Sequence, residues 1–188
     1  IRIASVYNGK PVTQIIENGF ENADKLKSVS IPASVTKIGQ YAFSGCSALE
    51  SVTLADNSKL EFIGTYAFRE CRLLTGFAIP SNVTTVEEYA FWSCHGFTEL
   101  FIPKSLTDLA PSALYTCRNI EKIIVEKGNP KYSSTNNCLI ETETKTLLRV
   151  GKNAEIPTDG SVEIIGQQAF RSPYWINVEI PDCITGIE

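Results

Sequence analysis

Apolar positions along this chain recur in one long pattern. Between Ser30 and Leu54 it reads Ile-Pro, then Val-x-x-Ile-Gly, then Ala-Phe-x-x-Cys-x-x-Leu-x-x-Val-x-Ile/Leu. The Ala-Phe pair returns at Ala42-Phe43, Ala67-Phe68, Ala90-Phe91 and Ala169-Phe170, with Ala113-Leu114 and Gly19-Phe20 as variants. From Phe20 the steps are 23, 25, 23, 23 and 56 residues. Self-similarity at a period of this size marks a solenoid, in which one coil cannot bury its own apolar face and stacked coils share a core.

Each part of the pattern predicts an element. The last four residues of Leu-x-x-Val-x-Ile alternate apolar and polar, as a half-buried strand does. These segments end at Ile31, Leu54, Ile79, Ile102, Val125, Ile156 and Ile180, which gives seven coils, with Ile1–Asn8 as a partial N-terminal edge. Proline follows several of them and suits a strand exit, because it donates no backbone hydrogen bond. Val-x-x-Ile-Gly adds two buried residues across the coil. The spacings of three and four in Ala-Phe-x-x-Cys-x-x-Leu predict one helical or 3₁₀ turn. Phe43, Phe68, Phe91 and Phe170 are expected to stack as one core column, with Leu114 leaving a looser coil.

Two stretches depart from the period. Ala55–Lys59 carries two extra residues, a small bulge. Between Val125 and Ile156 the spacing is 31 residues and the Ala-Phe turn is missing. Cys138-Leu139-Ile140 and Leu147–Val150 flank a polar Glu141–Thr146 stretch, which predicts a β-hairpin in an irregular coil spanning 126–157. The following coil has Pro173 where the others have Cys.

The repeated Ile-Pro-x-Ser-Val-Thr-x-Ile-Gly-x-x-Ala-Phe-x-x-Cys-x-x-Leu-x-x-Val resembles the BspA-type leucine-rich repeat. The opening Tyr7–Thr13 and the insert starting Asn129-Pro130-Lys131-Tyr132-Ser133 are similar to segments of that family, although Asn136-Asn137 stands where Asp-Gly is usual. The resemblance covers nearly the whole chain. It implies an α/β repeat, a right-handed, curved leucine-rich-repeat solenoid of about seven coils, with short strands on the concave face and short helical turns opposite, as a single domain over 1–188. It further implies a cell-surface or secreted adhesin that binds host or bacterial surface proteins, with extracellular matrix or plasma proteins as partners. The rival reading is a structural spacer that displays another domain and has no ligand of its own.

Composition narrows the chemistry. A hydrophobic share of 43%, a charged share of 20% and a net charge of −4 fit a folded chain with an ordinary solvated surface. No basic cluster offers a nucleic-acid footprint, and no run of about 18 apolar residues offers a membrane span. The chain has no Met and stops in mid-coil, so it reads as a fragment of a longer protein. Cys46, Cys71, Cys94 and Cys117 share one repeat position. Stacked at about 4.8 Å per coil, they form a straight column, which suits neither a tetrahedral metal site nor the converging vectors of a disulfide. A buried thiol ladder is expected, with disulfide and metal as weaker alternatives and Cys138 and Cys183 unassigned. His95 is the only histidine, and its neighbour Cys94 is poorly placed to pair with it. No cofactor and no enzymatic activity are expected.

Binding is the better-supported expectation. The third and fifth residues of the strand pattern should face outward: Ser28/Ser30, Ser51/Thr53, Gly76/Ala78, Glu99/Phe101, Lys122/Ile124 and Asn177/Glu179. Phe101 and Ile124 then form an apolar pair flanked by Glu99 and Lys122. After the Ala-Phe pair a second column carries Trp92 beside Tyr115. Clustered exposed aromatics mark interaction sites, although rings of this kind also cover coil edges.

Overall fold

The computed structural model describes residues 1–171 and 179–188. Pro173 and Asn177 lie outside the described residues. A hairpin of β1 (Val6–Tyr7) and β2 (Lys10–Pro11) precedes the regular coils. Short and long strands then follow along the chain: β3 (Gln14–Ile15), β4 (Ser28–Ile31), β5 (Lys37–Ile38), β6 (Ser51–Leu54), β7 (Phe62–Ile63), β8 (Thr85–Val86), β9 (Glu99–Ile102), β10 (Asp108–Leu109) and β11 (Lys122–Val125). They build a solenoid with three walls.

The first wall holds the four-residue strands. β4 pairs with β6 and β9 with β11, both parallel and in register. The N-terminal segment joins this wall, Arg2 bridging to Ser30. The segments ending at Ile79 and Ile156 form no strand, so the wall is interrupted between β6 and β9. The second wall is a continuous parallel sheet ordered β10-β8-β7-β5-β3, made from the Val-x-x-Ile segments. Glycine after the isoleucine lets successive backbones close up here: a Cβ on Gly39 would sit 2.8 Å from the Glu17 nitrogen, and one on Gly64 2.9 Å from that of Gln40.

The third wall corrects a prediction. The expected helical turns opposite the strands are absent, and no helix occurs among the described residues. Ala-Phe-x-x-Cys instead runs through successive reverse turns. In each of the first four coils two residues four apart hold positive φ: Asn18 and Asn22, Tyr41 and Gly45, Tyr66 and Glu70, Tyr89 and Ser93. A left-handed residue every fourth position stops a right-handed helix from propagating, so an apolar spacing of three and four is met without one. Backbone donors are shared between two directions. Ala42, Ser44 and Cys46 donate within their own coil to Gly39, Tyr41 and Phe43, while Tyr41, Phe43 and Gly45 donate to Thr65, Ala67 and Arg69 of the next.

Inside this wall Phe20, Phe43, Phe68 and Phe91 stack with ring centroids 5.1, 5.2 and 5.4 Å apart. The column therefore begins at Phe20, and Phe170 is not part of it. Phe170 is only half-buried and packs against a second core around Cys138, Ile140, Leu147, Val150 and Ile165. That second core belongs to the irregular region. The hairpin expected there is the later part of a three-stranded meander, β12 (Tyr132–Thr135), β13 (Cys138–Glu141) and β14 (Thr146–Val150). Asn136 and Asn137, both at positive φ, form the two-residue turn between β12 and β13; a tight turn with two such residues suits asparagine nearly as well as Asp-Gly. β14 pairs in parallel with β15 (Ile164–Ile165), and β15 with β16 (Gly186–Ile187), so the meander re-enters the second wall.

Candidate binding surfaces

The outer face of β9 and β11 is built by strand parity. Leu100, Ile102 and Ile123 point into the core, which turns Glu99, Phe101, Lys122 and Ile124 outward. Parallel register sets Phe101 directly beside Ile124 and Glu99 beside Lys122. Phe101 is 37% exposed and Ile124 is half-buried. The four residues singled out from the sequence are thus one contiguous patch. Beyond it, the outer edge of β11 is closed by the meander: Ile123 N–H donates to Asn137 Oδ1 at 2.7 Å, and Val125 N–H to Ser134 Oγ at 3.0 Å. β10 is treated similarly, Leu109 N–H donating to the Tyr132 hydroxyl at 3.1 Å.

Trp92 and Tyr115 meet on the turn wall, edge to face with centroids 6.1 Å apart. They belong to a larger surface than the sequence reading assembled. Tyr41, Tyr66 and Tyr89 stack at 5.0 and 5.1 Å, and Tyr89 continues into Trp92 and Tyr115. Arg69 lies over Trp92 at 4.8 Å and Arg171 over Tyr115 at 4.2 Å. The three tyrosines were legible as a repeated Tyr-Ala-Phe; their left-handed backbone is what turns the rings outward into a ladder parallel to the Phe column. All five rings are half-buried, so part of each is already used in covering its neighbour.

The cysteine column is free and buried, and its thiols do more than fill space. Cys46, Cys71, Cys94 and Cys117 donate to the carbonyls of Phe20, Phe43, Phe68 and Phe91, each one coil earlier, at 3.0 to 3.2 Å. Burial pushes Cys46 up to about 11 and Cys117 to about 12, and raises Cys71 and Cys94 as well. These are protonated donors, unlike the thiolates that act as nucleophiles or metal ligands. Cys183 also finds a place. It stands where Ser34 and Ser105 stand in earlier coils, and like them it donates to a carbonyl of the preceding coil, Pro157 O at 3.8 Å. His95 Nδ1 lies 3.2 Å from Thr116 O, a turn contact with no nucleophile in it.

Comparison with known proteins fits this geometry. A family model described as "BspA type Leucine rich repeat region" matches in six copies over residues 13–141. No curated protein matches the chain. Among solved structures, a leucine-rich repeat protein from Eubacterium ventriosum aligns with 99% of this chain and 48% of its own at 24% identity and a TM-score of 0.78. A leucine rich cell surface protein from Faecalibacterium prausnitzii aligns with 99% of this chain and 64% of its own at 26% identity and a TM-score of 0.54. The pneumococcal vaccine antigen PcpA aligns with 95% of this chain and 45% of its own at 20% identity and a TM-score of 0.55. The chain thus spans about half to two thirds of the length of these structures.

Proposed function

Because the chain belongs to the BspA-type leucine-rich repeat family, we propose that it is a non-catalytic protein-interaction module of an extracellular surface protein, acting as an adhesin through the face of β9 and β11. The observation that carries this reading is the pair Phe101–Ile124. On an open sheet face two large apolar side chains about 4.8 Å apart gain from being covered, and Glu99 and Lys122 supply the polar rim that surrounds interface centres. A relative named as a cell surface protein and another named as a vaccine antigen support an extracellular setting. No helix among the described residues is long and apolar enough to cross a membrane. The partner class is a host matrix or plasma protein.

The test compares the chain with a Phe101→Ser/Ile124→Ser double variant of unchanged melting temperature, both immobilised and exposed to plasma and to solubilised matrix. Saturable retention of a discrete protein by the parent, weakened tenfold or more in the variant, is the expected result. Equal retention by both moves the interaction to the Trp92–Tyr115 surface. No retention by the parent favours the spacer.

A further inference from the structure

The first wall contains a slit, and its two lips are unsatisfied backbone. Ser51 and Ala55 send their N–H groups back to Lys27 and Ile31. In a parallel ladder successive residues bond to opposite sides, so Val52 and Leu54 of β6 face forward, toward residues 76–79. On the far side Ile102 accepts from Glu126, which commits Leu100 and Ile102 to β11 and leaves Glu99 and Phe101 of β9 facing back toward the same residues. Among the described residues, no backbone hydrogen bond joins 76–79 to either strand; the last contact before the slit is Thr75 N–H to Glu50 O at 3.4 Å. Val52 and Leu54 are only half-buried, whereas Val29 and Ile31 one coil earlier are 1% exposed. A cleft of about 400 Å³ opens between Val52–Asp56 and Ala78–Ser81.

The other two walls are intact at this level. Phe62 and Ile63 pair with Thr85 and Val86, Phe68 N–H reaches Ala90 O at 2.7 Å, and the Phe77 ring is wedged 5.2 Å from Phe68 and 5.6 Å from Phe91. The coil is therefore held on two sides and unlaced on the third. Elsewhere the chain closes its open strand edges with its own side chains, Asn137 and Ser134 over β11 and Tyr132 over β10. Among the described residues, these two lips have no such cover.

We infer that the slit is a peptide-binding site, taking an extended, unstructured segment of a partner protein as an added strand along the forward edge of β6. Unpaired alternating N–H and C=O groups at strand spacing are complementary to one ligand chemistry, an extended polypeptide backbone. Segment 76–79 is held by the buried side chains of Phe77 and Ile79 and not by backbone hydrogen bonds to its flanks, so the two lips stay open beside it. The slit meets the Phe101–Ile124 patch only through the Phe101 backbone and uses neither of the two side chains.

Amide exchange of the intact chain is the first measurement. Val52, Leu54, Glu99 and Phe101 should exchange at least tenfold faster than Val29 and Ile31 in the laddered part of the wall, and equal protection overturns the inference. Decapeptides selected from a displayed random library on the immobilised chain are the probe. Selected peptides should slow exchange at Val52 and Leu54, lose tenfold or more in affinity when alternate residues are backbone N-methylated, and still bind the Ile124→Ser variant. Peptides that protect other amides, peptides indifferent to N-methylation, or a selection that yields no binder each overturn it. Loss of binding in the Ile124→Ser variant alone transfers the peptide to the side-chain patch and also overturns the slit.

Discussion

The turn wall and the long-strand wall run along the same coils, yet one is laced through every coil from Phe20 to Leu114 and the other is cut in the middle. On the turn wall each coil places the same residue types at the same offsets, and the backbone passes hydrogen bonds forward at Phe20, Phe43, Phe68 and Phe91 alike. On the long-strand wall, bonding stops after β6 and resumes at β9. The cut coil differs from its neighbours in two ways: it follows the two-residue bulge at Ala55–Lys59, and it places Phe77 where Val29, Val52, Leu100 and Ile123 stand. The comparison teaches that a solenoid needs continuity on only some of its walls. Phe77 strengthens the aromatic core from inside while its strand is unpaired outside.

The largest expected effect lies where the lacing is densest. Phe91 is 1% exposed, stacks on Phe68 and also contacts Phe77 and Phe97 at 5.6 and 5.2 Å. Phe91→Ala should lower stability by about 3–5 kcal/mol, the range for a truncated buried Phe. Because each coil touches only its neighbours, the loss falls on both adjoining interfaces. Denaturant unfolding of the two proteins decides it; a change below about 1 kcal/mol would show that the column contributes little.

Gly39→Ala comes next. The added methyl would lie within 3.0 Å of the Glu17 nitrogen and of the Ile16 and Ile15 backbone, atoms that cannot rotate away. Overpacking of this kind costs about 1–3 kcal/mol, and the strand pair Ile15–Ile38 should lose amide protection first. An alanine variant as stable as the parent would mean that the second wall can open at this step.

These differences mark how far the sequence could be read. The period, the coil count, the Cys column and the Phe43–Phe68–Phe91 part of the Phe column were legible because each comes from side chains recurring at a fixed offset. Reading by the Ala-Phe pair alone leaves Phe20 out of the Phe column and wrongly counts Phe170 into it. Phe101, Ile124, Glu99 and Lys122 could be brought together because strand parity and equal coil length suffice to align them. The turn geometry was not legible: an apolar spacing of three and four is shared by a helix and by turns interrupted at Tyr66 and Glu70, and only backbone angles separate the two. Nor was the slit, since Gly76-Phe77-Ala78-Ile79 alternates as well as any strand in the chain. The role of Asn137 depends on which strand edge its side chain reaches, a contact between residues 14 apart with no pattern in the sequence.

The thiol ladder predicts a pH dependence. Burial holds Cys46 near 11 against an ordinary value of 9.0, so the folded state favours the neutral thiol. That contribution is fully present below pH 9 and is lost as pH rises from 9 through 11. Melting temperature should fall across this range, and Cys46→Ala should flatten the fall while lowering the plateau near pH 7. An unchanged slope in the variant assigns the alkaline loss to other groups. At the deepest rung Cys94→Ser should be milder than Cys94→Ala, because the hydroxyl can still donate to Phe68 O, the carbonyl that Cys94 now reaches at 3.1 Å.

The smallest effect is expected for Gly76→Ala, read together with amide exchange in the cut wall. Gly76 holds the outward-facing third position of the strand pattern, where Ser28 and Ser51 stand in earlier coils. At Gly76 no atom lies within 4 Å of the position an added methyl would take, and the residue does not hold positive φ. Alanine therefore meets no steric penalty there, while it narrows the conformations open to the unfolded chain. A gain of about 0.4–1 kcal/mol is expected on that ground alone. The sign is the informative part. A loss would mean that the backbone at Gly76 takes up a conformation alanine does not share. A gain, with Val52 and Leu54 amides still exchanging quickly, would show that this coil is held by its second and third walls while the first stands open.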